Sequence, residues 1–290
     1  MVARNLDATI DNGAYPDVET KRSNLRHRPI GIGVQGLADV FMMLRVSFES
    51  EAAVKLNRDI FETIYYGALE ATIDLAREHG SHDSYEGSPV SRGILQPEMW
   101  GVQTDDSMWN WTRLRADLQE HGVRNSLVTA PMPTASTAQI VGFNECIEPY
   151  TSNLYSRRVR AGEFVVANQH LVRDLAGLGL WDAHMRTELV RDSGSVQQCA
   201  RIPAELKELY KTAWEIPQKT LLDLSATRGA FVDQSQSHNA FIARPTYDKL
   251  TSFHFHGWQL GLKTGMYYLR TKPAQTAVQV TLDPTTTLRS

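Results

Sequence analysis

The sequence reads as an α/β protein, and three observations lead there. Several stretches of ten or more residues carry apolar side chains at helical spacing. Short runs rich in β-branched and aromatic residues lie between them. Their alternation is the pattern of strands paired in parallel through helical connections.

The helices follow from periodicity and punctuation. Residues 51–79 are rich in Ala, Glu, Leu and Ile; Ile60, Ile64 and Ala68 recur every four residues beside Phe61 and Tyr65, and Gly80 is placed as a stop. In residues 107–121, Trp111, Leu114 and Leu118 line one face before Gly122. Residues 168–178, 182–191, 203–228 and 247–262 also read as helical. Pro203 suits a first turn, whereas Pro217 should kink or split the helix it interrupts. Strands are expected at residues 126–130 (Ser-Leu-Val-Thr-Ala), 154–159 and 267–271. Residues 1–29 are polar, basic from Lys21 to Arg28, and read as an entry segment.

Composition excludes several functions. Thirty Lys/Arg against thirty-three Asp/Glu give a formal charge of −3, which argues against a nucleic-acid binder held by phosphate contacts. Hydrophobic residues at 42 % and charged ones at 22 % argue against wholesale disorder. No apolar run approaches the roughly 18 residues of a membrane helix, and the first residues lack the apolar stretch of a signal peptide. Two cysteines, Cys146 and Cys199, make no disulfide framework and point to a reducing compartment, so a cytoplasmic location is expected.

Two glycine- or hydroxyl-rich turns stand out. Gly31-Ile32-Gly33-Val34-Gln35-Gly36 matches a dinucleotide pattern, and the residues from Leu37 to Leu44 can form the helix after it. The basic run ending at Pro29 spoils the strand before it, and Glu49 and Glu51 come too early for the ribose-binding acid. Close backbone packing at a turn is the better account. The second turn, Pro133-Thr134-Ala135-Ser136-Thr137, follows the 126–130 strand and opens a short helix ending near Gly142. Hydroxyl residues there satisfy new helical N–H groups, and the same place suits an anion: amides converge and the helix dipole is positive. Ordinary capping is the competing account.

Other candidates are weaker. His254 and His256 point to different faces if helical, His79 and His82 are separated by Gly80, and no ligand spacing resembles a zinc or iron site. Neither cysteine lies in a nucleophile motif, and no hydrolase signature is present. Tyrosine pairs occur at Tyr65-Tyr66 and Tyr267-Tyr268; adjacent phenols can pass a hydrogen atom if stacked and shielded from water, while strand packing explains the second pair without that role.

Taken together, residues 26–39, 85–89, 131–137, 147–153 (Ile-Glu-Pro-Tyr-Thr-Ser-Asn), 233–237 (Asp-Gln-Ser-Gln-Ser) and 262–271 resemble the large, catalytic subunit of class I ribonucleotide reductase, of eukaryotic or viral type. The family signature looks satisfied from Trp111 through Leu114, Gly122 and Asn125 to Pro133. The resemblance implies the later half of a ten-stranded α/β barrel, helix-rich, over residues 1–271, with residues 272–290 as a carboxy-terminal extension. It implies that Pro133, Thr134, Ala135, Ser136 and Thr137 cradle the diphosphate of a ribonucleoside diphosphate. It implies that Tyr267 and Tyr268 relay a radical from a small subunit, Tyr268 being the outer member. The radical would be supplied by that metal-containing small subunit, no cofactor being bound by this segment, and ATP/dNTP allosteric sites would lie outside it.

The family's radical-bearing cysteine stands in an Asn-x-Cys-x-Glu context. Asn144-Glu145-Cys146-Ile147-Glu148 mimics it, but its position directly before the Pro149 motif marks a coincidence. The substrate-reducing cysteine pair and a terminal Cys-x-x-Cys have no counterpart in these residues. The expectation is therefore a fragment or split portion, inactive without an upstream half, and acting with thioredoxin or glutaredoxin once complete. The alternative is a non-catalytic module that docks the small subunit or a full-length large subunit.

Overall fold

The computed structural model describes residues 1–160 and 162–272. In chain order the helices are α1 (Val2–Asn12), α2 (Val18–His27), α3 (Leu37–Met43), α4 (Glu51–His79), α5 (Gln96–Met99), α6 (Trp111–His121), α7 (Ala135–Val141), α8 (Gln169–Gly177), α9 (Ala183–Arg191), α10 (Ala204–Leu209), α11 (Gln218–Gly229) and α12 (Tyr247–Gln259). The strands are β1 (Leu154–Val159), β2 (Gly162–Ala167), β3 (Ala240–Phe241) and β4 (Leu269–Arg270).

Helix α4 organises the larger core. Ser50 caps it by accepting from the Ala53 N–H at 3.1 Å, and Gly80, at φ +80°, ends it. Its buried face, including Phe61, Tyr65, Leu69 and Ile73, packs against α1, α6 and α11. Trp111 on α6 is 1 % exposed, meets the edge of Tyr66 at 5.2 Å and donates its indole N–H to Glu62 at 3.1 Å. Burial of each such side chain is worth about 2 kcal/mol, so packing rather than helical propensity holds α4 in place. A second core joins α8, α9, α10 and β1 through Leu154, Leu171, Leu175, Met185, Leu189 and Leu206.

Between the helices run four extended segments, side by side. The Ile30 and Ile32 amides donate to Leu127 and Val128 carbonyls, and Ala130 donates back to Ile32; Ile32 and Thr129 form a parallel bridge. Gln234 and Ser237 then donate to Thr129 and Pro131. The third segment continues as β3, which pairs in parallel with β4. The lateral order is thus 30–32, 127–131, 234–242 and 267–270. The first three lead into α3, α7 and α12, which is the βα repeat of a parallel wall. The carboxylate of Asp233 binds two of the lanes together by accepting from the Val128 and Thr129 amides.

Several expectations change. No closed barrel is formed among the described residues, and the regular sheets are two-stranded. The 126–130 strand is regular only as the bridge at Thr129, and the 267–271 strand only at β4, because these lanes are short and prolines follow Ala130. Strand β1 has the expected bounds but pairs antiparallel, Leu154 opposite Ala167, with β2, which the sequence pattern did not announce. The 203–228 helix splits in two: α10 ends at Leu209, and α11 starts after Pro217, its N-cap. The entry segment is α1 and α2, closed by a buried ion pair between Arg28 and Asp7 at 2.9 Å. Most of the proposed extension, 273–290, lies outside the described residues.

Candidate functional site

The hydroxyl-rich turn begins where its lane ends. Pro131 and Pro133 have no N–H to continue the ladder, and Thr134 becomes the N-cap of α7. Its hydroxyl oxygen accepts from the Cys146 N–H at 2.8 Å, and its carbonyl accepts from Thr137 at 2.7 Å and Ala138 at 3.1 Å. The amides of Ala135 and Ser136 find no acceptor among the described residues. The side chains of Ala135, Ser136 and Thr137 are exposed. One of the three hydroxyls and one of the amides are therefore committed to the fold, while two amides and the Ser136 and Thr137 hydroxyls stay open to an anion.

The glycine loop before α3 is closed to such a ligand. Gly36 and Leu37 donate their amides to the Asn144 and Cys146 carbonyls at 3.0 and 3.3 Å. A Cβ on Gly33 would lie 2.7 Å from the Ala130 carbonyl, so glycine there permits two lanes to touch, as close packing requires.

Tyr267 and Tyr268 begin the fourth lane. The Tyr267 amide donates to His238 at 2.6 Å, Ala240 donates to Tyr268 at 2.9 Å, and Ile242 donates to Arg270 at 3.0 Å. The two phenol rings lie 4.2 Å apart at 59°, and the Arg270 guanidinium lies 5.1 Å from the Tyr268 ring centre. The neighbouring Tyr268 hydroxyl pushes the Tyr267 phenol above its ordinary range. The rings are 47 % and 51 % exposed, so they are in contact but unshielded. The turn and the pair lie toward the same end of the lanes, since lane 234–242 passes Pro131 before it reaches Tyr267.

Beside them opens a cleft of about 840 Å³, within the range of small-molecule sites. Asp39 is its polar hub, buried and accepting from the Asn144 amide at 2.8 Å and the Tyr150 hydroxyl at 2.7 Å, with His170 Nε2 at 3.1 Å. Glu148, Asn239 and Arg270 also line it. Gln139, Gly142 and Phe143, in and after the last turn of α7, form part of its rim, whereas residues 133–137 do not line it. Glu148 is 6 % exposed, and burial pushes its carboxyl up to about 7. Glu148 and Tyr150 fall inside the 147–153 motif, but no pattern marked their roles; His170 and Asn239 carried no signal at all.

The remaining candidates resolve into packing. His256 faces Asp223 at 2.7 Å while His254 meets the Phe253 ring edge, so the two imidazoles serve different partners. Burial pushes the Cys146 thiol up to about 12, which keeps it protonated, and Cys199 is wholly buried. Among the described residues no group of three or more His, Cys, Asp or Glu is placed to hold a metal ion, and no helix is long and apolar enough to cross a membrane.

Residues 1–268 match the family described as ribonucleotide reductase, barrel domain, and the chain belongs to that family. It is 57 % identical over 283 residues to the ribonucleoside-diphosphate reductase large subunit of Plasmodium falciparum (isolate Dd2), covering 98 % of this chain and 35 % of that protein. It is 58 % identical to the large subunit of Dictyostelium discoideum, over 98 % of this chain and 33 % of the relative, and 56 % identical to that of Danio rerio, over 98 % and 36 %. The chain thus spans about a third of the length of the relatives it matches. In structure it is similar to the class Id ribonucleotide reductase alpha subunit of Actinobacillus ureae, with a TM-score of 0.74 and 25 % identity over 93 % of this chain and 45 % of that one.

Proposed function

We propose that this chain is the carboxy-terminal portion of a ribonucleoside-diphosphate reductase large subunit, its four parallel lanes being the later part of a ten-stranded barrel. The carrying observation is the shared end of the lanes: a helix start with two free amides stands two lanes from a touching tyrosine pair. The reaction replaces the ribose 2′-hydroxyl of a nucleoside diphosphate by hydrogen, two thiols becoming a disulfide and the hydroxyl leaving as water.

In this reading the Ala135 and Ser136 amides, with the Ser136 and Thr137 hydroxyls, hold the diphosphate at the positive end of α7. Pro133 and Thr134 shape the turn; Thr134 does so through its bond to Cys146. Tyr268, the outer ring, once oxidised takes one electron and one proton from Tyr267, the inner ring, which in turn takes the same from the thiol beside the substrate, so the oxidising equivalent moves inward. A docked partner has to cover both rings, because their present exposure would expose an oxidised phenol to water. The metal-dependent radical source is a small subunit, the hydrogen-abstracting and reducing thiols come from an upstream portion of the large subunit, and thioredoxin or glutaredoxin restores them. Allosteric ATP/dNTP binding belongs to that upstream portion, and the location is cytoplasmic.

The test is CDP reduction by the chain assembled with the upstream portion, a small subunit and a thiol reductant. Tyr267→Phe is expected to abolish turnover while nucleotide binding persists; a fully active Tyr267→Phe enzyme would remove the relay. The non-catalytic docking role draws on the exposed aromatic face of α12, where Tyr247, Phe255 and Trp258 are 91 %, 61 % and 73 % exposed. It gains if the wild-type assembly binds a small subunit yet never reduces CDP.

A further inference from the structure

Behind the tyrosine lane a single carboxylate stands between two hollows. Glu148 Oε1 accepts from the Asn239 N–H at 3.1 Å, a bond that spans 91 residues of sequence. Asn239 is flanked by the two residues that carry the pair: His238, whose carbonyl takes the Tyr267 amide, and Ala240, whose amide reaches the Tyr268 carbonyl. The other oxygen of Glu148 meets no protein donor among the described residues, and the residue lines the 840 Å³ cleft. On its far side lies a hollow of about 10 Å³, close to the space of one water, bounded by Glu148, Arg228 and His238. His238, one of the residues that bound it, has a buried Nε2 with no hydrogen-bond partner among the described residues.

We propose that Glu148 is a positioning residue for the tyrosine pair: its carboxylate anchors the 238–240 segment from which both tyrosines hang, and proton uptake loosens that anchor. The proposal deepens the relay reading of Tyr267 and Tyr268 and rests on it. An ionised acceptor holds a backbone N–H roughly twice as strongly as a neutral one, so the grip on Asn239 depends on charge.

The surroundings leave that charge adjustable. Burial opposes it most; the Asn239 N–H, Arg228 on α11 and Arg270 on β4 favour it; Glu145 on its own loop opposes it. The net result is the carboxyl near 7. His238 supplies no counter-charge, since burial pushes its imidazole down to about 3, and the protonated Cys146 thiol adds none. Across the cleft, Asp39 is already engaged by His170 and Tyr150, and Arg173 is exposed on α8. A glutamine would satisfy Asn239 equally at every pH, so only a titrating group gives the anchor two strengths.

The experiment places 4-fluorophenylalanine, whose ring has no ionisation of its own, at position 268 of the full chain and follows its ¹⁹F shift from about pH 5 to about pH 8. The expected result is an inflection near 7 that disappears in Glu148→Gln. Glu148→Asp, which keeps the charge but shortens the reach, should keep a titration of smaller amplitude. In the assembled reductase, Glu148→Gln should flatten the pH profile of kcat around neutrality and leave KM for CDP alone. A wild-type shift with no inflection, or one that survives in Glu148→Gln, overturns the proposal. An inflection that Glu148→Gln removes, in an assembly that never reduces CDP, supports the anchor and condemns the relay reading instead.

Discussion

Two arginines, one in each half of the larger core, are equally buried and oppositely housed. Arg28 is 3 % exposed and sits between two acids: its Nε donates to Asp7 at 2.9 Å, and its two terminal nitrogens reach Asp11 at 2.8 and 2.7 Å. Arg228 is 2 % exposed and, among the described residues, donates only to neutral groups, to Gln236 at 2.6 Å, Asn57 at 3.1 Å and Ser225 at 2.7 Å. The acids push the Arg28 guanidinium above its ordinary range, and burial pulls Arg228 down to about 10. The entry helices are thus fastened by compensated charge. The interior beneath the tyrosine lane keeps a cation without a contacting carboxylate, and that is the setting in which Glu148 can titrate near neutrality.

The comparison breaks most readily at Arg28. Arg28→Met leaves Asp7 buried at 4 % exposure without its main partner, and should cost about 3 to 5 kcal/mol in urea unfolding. A cost below about 1 kcal/mol would show that the entry helices are not held by this pair.

Glu148 comes next. Its folded-state value near 7 exceeds the ordinary 4.5, so the native state holds a proton that the unfolded chain has released. Stability should therefore fall as pH rises from about 4.5 to about 7, by on the order of 3 kcal/mol, and level off above. In Glu148→Gln that slope should vanish, and an unchanged profile would place the carboxyl in water. The smallest effect belongs to Arg228→Met, which strands three neutral acceptors but also removes a buried charge. We expect about 2 kcal/mol, less than for Arg28→Met; the reverse order in urea midpoints would invert the comparison.

Legibility followed the range of the cause. Helix α4 has the bounds read from the sequence because its start and stop are local, a Ser50 cap and a positive-φ Gly80. The break at Pro217 was legible for the same reason. Helix α2 was not, because none of its residues is buried and no apolar stripe marks it. The polarity of α1 likewise hid it, since it buries Asp7 among its few inward residues. Strand β1 was visible, but its antiparallel partner depends on a short return rather than on a helical crossover. At the site, the Pro133–Thr137 turn and the Tyr267-Tyr268 pair stand in contiguous motifs. The cleft does not: Asp39 meets His170 from 131 residues away, and Glu148 meets Asn239 from 91, distances that no spacing rule reaches.

Diphosphate binding rests on the turn that opens α7. Its most direct test is a crystal structure of this chain assembled with an upstream portion of a large subunit, with CDP bound. Phosphate oxygens should lie about 3 Å from the Ala135 and Ser136 amide nitrogens, with the ribose directed toward Tyr267. A diphosphate seated elsewhere, with those two amides still facing solvent, would contradict it.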